Sequence, residues 1–206
     1  MADIATQYPT TPSFTAVNFQ TNVPTISTET FSGKVRRVGY GHQFYEWEVQ
    51  YPNLTESQAA IVQGYLAQTY GPLLSFEIAL PKISTTKSTN PPSTTVNVNN
   101  ASGYTAGAKQ VVLENCGANK DVLNVGDFFK FNNHSKVYQA TSTCVSDGSG
   151  AATLFFAGSL VSAVPDDTAL TLTDVKFTAL ALTEAQQVNV GIGGISNLNV
   201  KMREIW

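Results

Sequence analysis

Few residues in this chain have types and spacing that could do chemistry. His42 and His134 are its two histidines, and Cys116 and Cys144 its two cysteines. A zinc site needs several such ligands to converge, yet the histidines lie far apart, with no acid at ligand spacing from either. Serines are plentiful, but none sits in the Gly-x-Ser-x-Gly turn that exposes a hydrolase nucleophile. His134-Ser135 follows Asn132-Asn133 and reads as a loop tip. Glu46 and Glu48 are a carboxylate pair two positions apart, whereas a glycosidase needs its pair to flank a sugar bond across a groove. Neighbours on one strand read instead as a solvated or intersubunit face. Gly191-Ile192-Gly193-Gly194 falls between strands rather than before a helix, so it is no nucleotide fingerprint. Asp147-Gly148-Ser149-Gly150 lacks the acidic ladder of a calcium loop and reads as a hairpin turn. The expectation is a protein without catalytic, metal or cofactor residues, and not an enzyme.

Composition points the same way. Charged residues make up 13% of the 206, against about a quarter in typical soluble domains. Ser, Thr, Asn, Gln and Gly carry the polarity instead, which suits a β-rich protein whose surfaces face other protein. A net charge of −3 argues against general nucleic-acid binding, which needs a basic surface to release phosphate counterions. The one tight basic cluster is Lys34, Arg36 and Arg37. Cys116 and Cys144 read as two small semi-buried side chains in a reducing cytoplasm, with a disulfide between them left open. The start has neither region of a signal peptide, and no apolar run approaches the ~18 residues of a membrane helix. The expectation is a soluble protein without membrane insertion.

The elements that would position these groups are mostly strands. Residues 1–29 are rich in Thr, Ser, Pro and Asn, with Tyr8, Phe14, Phe19 and Ile26 as sparse apolar points. This reads as an extended N-terminal arm, either lying on a neighbour or frayed. A hairpin arm is expected from Phe31 to His42, carrying the basic cluster. Tyr45, Trp47, Val49 and Tyr51 alternate with Glu46, Glu48 and Gln50, the pattern of a half-buried strand. Thr55-Glu56-Ser57-Gln58 fits a capping box. Ala59, Val62, Tyr65, Leu66 and Thr69 then form one apolar helical stripe, which Gly71-Pro72 ends. Phe76, Ile78 and Leu80 alternate as a return strand. Trp47, Val62, Leu66 and Phe76 are the expected core.

From about Lys82 to Pro92 the chain reads as a polar, proline-bearing linker. Short strands with turns every few residues follow to about Leu172, the texture of a small barrel or sandwich. Lys176–Leu182 and a final hairpin about Gly193-Gly194 resume the first texture, with Leu198, Val200 and Met202 on the inner face. The fold class expected is mainly β with one principal helix (α+β): a split β-barrel plus helix formed by residues 30–82 with 175–206, into which a small β unit, 83–174, is inserted.

Several motifs resemble one family in their order. Ser32-Gly33-Lys34, Arg36-Arg37, Phe44, Trp47, Tyr51-Pro52, Leu54-Thr55, Gly71-Pro72, Ser75-Phe76 and Leu80-Pro81 are similar to the ring-forming domain of distal-tail-type proteins of tailed bacteriophages. Val125–Ala140 and Asp147–Leu154 resemble an inserted β unit of such tail proteins. The resemblance implies a virion structural subunit, assembled in the host cytoplasm, that forms a homo-hexameric ring at the tail tip or baseplate. Its partners would be the tail tube protein, the baseplate hub and the tape-measure protein, with DNA passing the lumen unbound. Lys34, Arg36 and Arg37, on a hairpin with glycine at each end, read either as meeting acidic groups of an adjacent subunit or ring, with Glu46 and Glu48 on the receiving side, or as a solvated basic face. The rival expectation is an accessory module of the virion that binds a host glycan or a fibre.

Overall fold

The computed structural model describes residues 7–39, 42–182, 189–190 and 196–206. Tyr40 and Gly41 of the expected hairpin arm and the expected Gly193-Gly194 turn lie outside them. In chain order the strands begin with β1 (Ala16–Asn22), β2 (Thr25–Glu29), β3 (Val35–Gly39) and β4 (Phe44–Leu54), then helix α1 (Glu56–Gln68) and β5 (Phe76–Ala79). Short strands follow: β6 (Asn97–Val98), β7 (Gln110–Glu114), β8 (Asp121–Leu123), β9 (Phe128–Phe131) and β10 (Val137–Gln139). Then come β11 (Cys144–Val145), β12 (Ala152–Phe155) and β13 (Leu170–Thr171), and finally β14 (Lys176–Ala181), β15 (Asn189–Val190) and β16 (Ser196–Glu204). The protein is thus mainly β with a single helix among the described residues. It divides into two compact units, Met1–Thr21 with Phe44–Leu80 and Lys176–Trp206, and Asn22–Gln43 with Pro81–Val175.

The first unit is built on one sheet of order β1-β4-β16-β14-β5, with β15 paired to β16. In the antiparallel pairing of β4 with β16, Trp47 faces Met202, Val49 faces Val200 and Tyr51 lies opposite Leu198. Alternation puts these side chains on one face, and all are buried. α1 covers that face with Ala59, Val62, Tyr65 and Leu66. Its start is the expected capping box: Gln58 N–H donates to Thr55 Oγ1 (3.4 Å) and Thr55 N–H to Gln58 Oε1 (3.1 Å). At its end Tyr70 (φ 51°) and Gly71 (φ 66°) both take the left-handed conformation and turn the chain back.

Two expectations about this unit are corrected. The sheet is open and does not close into a barrel. Its β5 edge is taken by the N-terminal segment, where Tyr8 N–H donates to Glu77 O (2.8 Å), so β5 is not available to meet β1. Residues 7–21 of the N-terminal stretch are also not a separate extended arm but part of this unit. Tyr8 is buried between Tyr65 (5.3 Å) and Phe76 (5.4 Å), and Phe14 meets Tyr51 (5.8 Å) edge-on. Phe19 lies on Tyr45, Trp47 and Phe177. A few aromatic points suffice because each covers a gap in a sheet supplied by the rest of the chain.

The second unit packs three small open sheets, β12-β7-β6, β10-β9-β13 and β11-β8, around one core that includes Val98, Leu113, Phe129, Phe131, Tyr138, Leu154 and Phe156. The stretch expected as a linker is a fastened strap. The Asp127 side chain is fully buried and accepts from Thr86 Oγ1 (2.7 Å), Lys87 N–H (3.0 Å) and Asn124 N–H (2.9 Å). Ser88 Oγ donates to Asp121 O, and Thr94 Oγ1 to Asn115 O (2.6 Å). Residues 30–43, expected with the first unit, group with the second. There the buried Gln43 lies beside Gly158.

Candidate assembly interface

The basic cluster sits on a β-ribbon whose second strand the sequence concealed. β3 pairs antiparallel with β2, from Glu29↔Val35 to Thr25↔Gly39, so half of the hairpin comes from the stretch expected to be an arm. The tip is Phe31-Ser32-Gly33, closed by Thr30 N–H to Lys34 O (3.0 Å) and Gly33 N–H to Thr30 O (2.8 Å). Gly33 (φ 75°) supplies the left-handed residue that a three-residue hairpin loop requires. Thr30 Oγ1 also accepts Lys34 N–H (3.2 Å), which stiffens the turn.

Every residue of both strands is exposed. Ile26 (55%), Val38 (65%) and the fully exposed Phe31 present apolar surface to solvent. The register sorts the side chains: Ile26, Thr28, Arg36 and Val38 share one face, and Ser27, Glu29, Val35 and Arg37 the other. Lys34, Arg36 and Arg37 therefore do not form one patch, since Arg36 and Arg37 point to opposite sides. A two-stranded hairpin is marginally stable alone in water, and this one has no buried face among the described residues.

Glu46 and Glu48 lie on the outer face of β4, half-buried, opposite Arg203 and Lys201 of β16. Glu46 has a partner in its own sheet: Arg203 Nε is 4.0 Å from Glu46 Oε1. The same guanidinium lies 4.0 Å from the centre of the Phe44 ring, a cation–π contact. Glu48 has no ion pair with the described residues. Both carboxylates line a groove of about 610 Å³, with Val17, Phe19, Trp47, Lys201 and Met202 among its other walls. Trp47, Val62, Leu66 and Phe76 are all buried. The indole Nε1–H of Trp47 is buried with no hydrogen-bond acceptor among the described residues.

The groups with chemical potential are held elsewhere, in structural roles. Cys116 and Cys144 are free and buried, and burial foremost pushes their thiols up, to about 11 and about 12. They are protonated and unreactive at neutral pH. His134 Nε2 meets Tyr138 Oη (2.9 Å) and Nδ1 meets Asn133 Oδ1 (2.8 Å), while Val161 N–H donates to Tyr138 Oη (3.1 Å). That chain of bonds suits a neutral imidazole, and burial, then Lys136 and Lys130, lower its pKa. Burial likewise raises Tyr51 and Tyr65 to about 12. Among the described residues there is no group of His, Cys, Asp or Glu arranged to hold a metal, and no helix long and apolar enough to cross a membrane.

No protein-family model matches the chain, and no curated protein is similar enough to be matched. The sequence reasoning missed β2, whose Thr-Ile-Ser-Thr-Glu has one apolar residue and no alternation. It also missed the β1 edge, for which only Phe19 and Val17 at spacing two were a signal.

Proposed function

We propose that this protein is a structural subunit of a bacteriophage tail tip or baseplate, self-assembling into a ring, six copies by the family resemblance, between tail tube and hub. The observation that carries the reading is the β2–β3 ribbon. Ten consecutive-pair residues with exposed apolar and cationic side chains, folded into a defined hairpin but covered by nothing among the described residues, are what an intersubunit arm requires. Lys34, Arg36 and Arg37 make no ion pair with the described residues, so their charge is free to choose a partner. Ribbon and receiving surface are different patches of one chain, and contacts of that kind are heterologous; they close a ring when the rotation per contact divides a full turn. The tube, hub and tape-measure proteins would adjoin the ring, and the virion tail would be its location.

Light scattering with negative-stain imaging of the purified chain tests this. The expected result is a closed ring with the mass of six copies. The double reversal Arg36→Glu/Arg37→Glu should abolish the ring and leave thermal unfolding of the subunit nearly unchanged. A monomer of the wild-type chain at all concentrations, or normal yields of infectious particles from the double variant, would overturn the reading. Retention of a monomeric chain on a glycan array would favour the accessory-module alternative.

A further inference from the structure

In the second unit, the sheet β12-β7-β6 buries one face and leaves the other in solvent. Val98, Val111, Leu113 and Leu154 point into the core, so alternation turns Val112, Glu114, Thr153 and Phe155 outward. Their burial agrees: Thr153 and Phe155 are exposed, and Val112 and Glu114 are half-buried. The register sets Thr153 beside Val112 and Glu114 beside Asn97. The outer face is therefore apolar at Val112 and Phe155 and acidic at Glu114, two residues further along β7.

Two more acids join Glu114. Asp167 N–H donates to Val98 O (3.0 Å) and Asp166 Oδ1 accepts Asn100 N–H (2.6 Å), which holds both exposed residues beside β6. Lost hydration first, and then the Asp167 carboxyl in hydrogen-bonding contact and the charge of Asp166, raise the Glu114 pKa. None of the three acids makes an ion pair with the described residues. Lys109 lies at the opposite end of β7, roughly 17 Å away along the strand, and Lys120 Nζ is turned to Asn90 Oδ1 (2.8 Å). Like charges held together without a counter-charge gain from a cation brought by another chain.

The β2–β3 ribbon has two unequal faces. Ile26, Thr28, Arg36 and Val38 share one, and the bond from Thr30 N–H to Lys34 O continues the register and adds Lys34 to it. That face has two apolar side chains and two cations, with no acid. The other sets Arg37 with Glu29 and Val35, so its charges offset. Val38 and Arg36 are two residues apart, as are Val112 and Glu114, so both surfaces pass from apolar to charged over the same ~7 Å. In its own copy every strand residue of the ribbon is exposed.

We infer, on the ring reading above, that the ribbon of one copy lies face to face on the outer side of β12-β7-β6 of the next copy. Ile26 and Val38 cover Val112 and Phe155, Arg36 meets Glu114 and Asp167, and Lys34 reaches Asp166. Arg37 faces away. The contact supplies the buried face that a two-stranded ribbon lacks alone, at the spacing of about 10 Å usual for packed sheets.

Light scattering on the full-length chain at fixed salt, with thermal unfolding of each variant, tests the assignment. Glu114→Lys and Arg36→Glu should each weaken self-association by at least about tenfold, the scale of a charged contact at an interface. Arg37→Glu should change it by less than about threefold, the scale of an exposed charge. Glu114→Gln keeps the side chain's shape and relieves its repulsion with Asp167, so it should weaken association severalfold while raising the subunit's melting midpoint. In Arg36→Glu/Glu114→Lys each ribbon presents a carboxylate to a neighbour's ammonium, so association should recover severalfold over either single variant. Rings of normal stability from Glu114→Lys and Glu114→Gln, or no recovery in the double variant, would overturn the inference while leaving the ring reading intact. A wild-type chain that never self-associates would overturn both.

Discussion

Replacing Trp47 by alanine removes an indole that is almost wholly buried and lies stacked on Phe19 (6.1 Å, 13°) and tilted against Phe177 (5.2 Å). Buried Trp→Ala changes cost about 3–5 kcal/mol, because lost transfer energy adds to the cavity left behind. Trp47 should fall at the lower end, for a reason visible in the structure. Its Nε1–H is a buried donor unpaired among the described residues, so truncation also removes a penalty of about 1–3 kcal/mol. A loss of about 3 kcal/mol is therefore expected, or a fall in the melting midpoint of roughly 6–12 °C for a chain of this size. Trp47→Phe separates the two contributions. It keeps one ring in the stack and removes the unpaired donor, so its cost should be about 0–1 kcal/mol. Urea unfolding followed by circular dichroism measures both variants. An alanine variant within about 1 kcal/mol of wild type would refute the core assignment, and a phenylalanine variant as damaging as alanine would mean the indole N–H has an acceptor.

Three other expectations concern the rest of the chain. Asp127→Ala strands the Thr86, Lys87 and Asn124 donors and should cost about 3–5 kcal/mol; limited proteolysis should then cut between residues 82 and 92, and an uncut strap would show that Asp127 does not hold it. His134 has a folded pKa below its unfolded value of about 6.5, so the unfolded chain binds the extra proton and stability is lost as pH falls through 6.5 toward the folded pKa. Melting midpoints from pH 8 to 5 should drop more steeply for wild type than for His134→Asn, and an NMR titration of His134 at or above 6.5 would contradict this. Finally, Ala79 and Lys176 are Cα partners on neighbouring strands, so removing residues 81–175 and joining β5 to β14 by Asn-Gly makes an ordinary hairpin; a remainder without cooperative unfolding would mean that the two units depend on each other to fold.

What could be read from the residues in order was whatever their neighbours along the chain enforce. The capping box at Thr55 and Gln58 and the stripe Ala59, Val62, Tyr65 and Leu66 follow from helical spacing, and the alternation from Tyr45 to Tyr51 follows from the pleat of a strand. Each gives one local answer, and with it the mainly β character, the single helix and the burial of Trp47 and Phe76. Where pairing across distance decides, the linear pattern is silent. β2 is a strand only because β3 lies beside it; Thr25–Glu29 has no periodicity to reveal it. The open sheet rather than a barrel depends on Tyr8 occupying the outer side of β5. The strap over 82–92 depends on a carboxylate some forty residues later. Arg36 and Arg37, adjacent in sequence and read as one basic patch, are set on opposite faces by the register of a partner strand. Backbone hydrogen bonds must be satisfied by whichever groups the fold brings near, so sequence alone named the charges, and only the tertiary structure assigned each one a side.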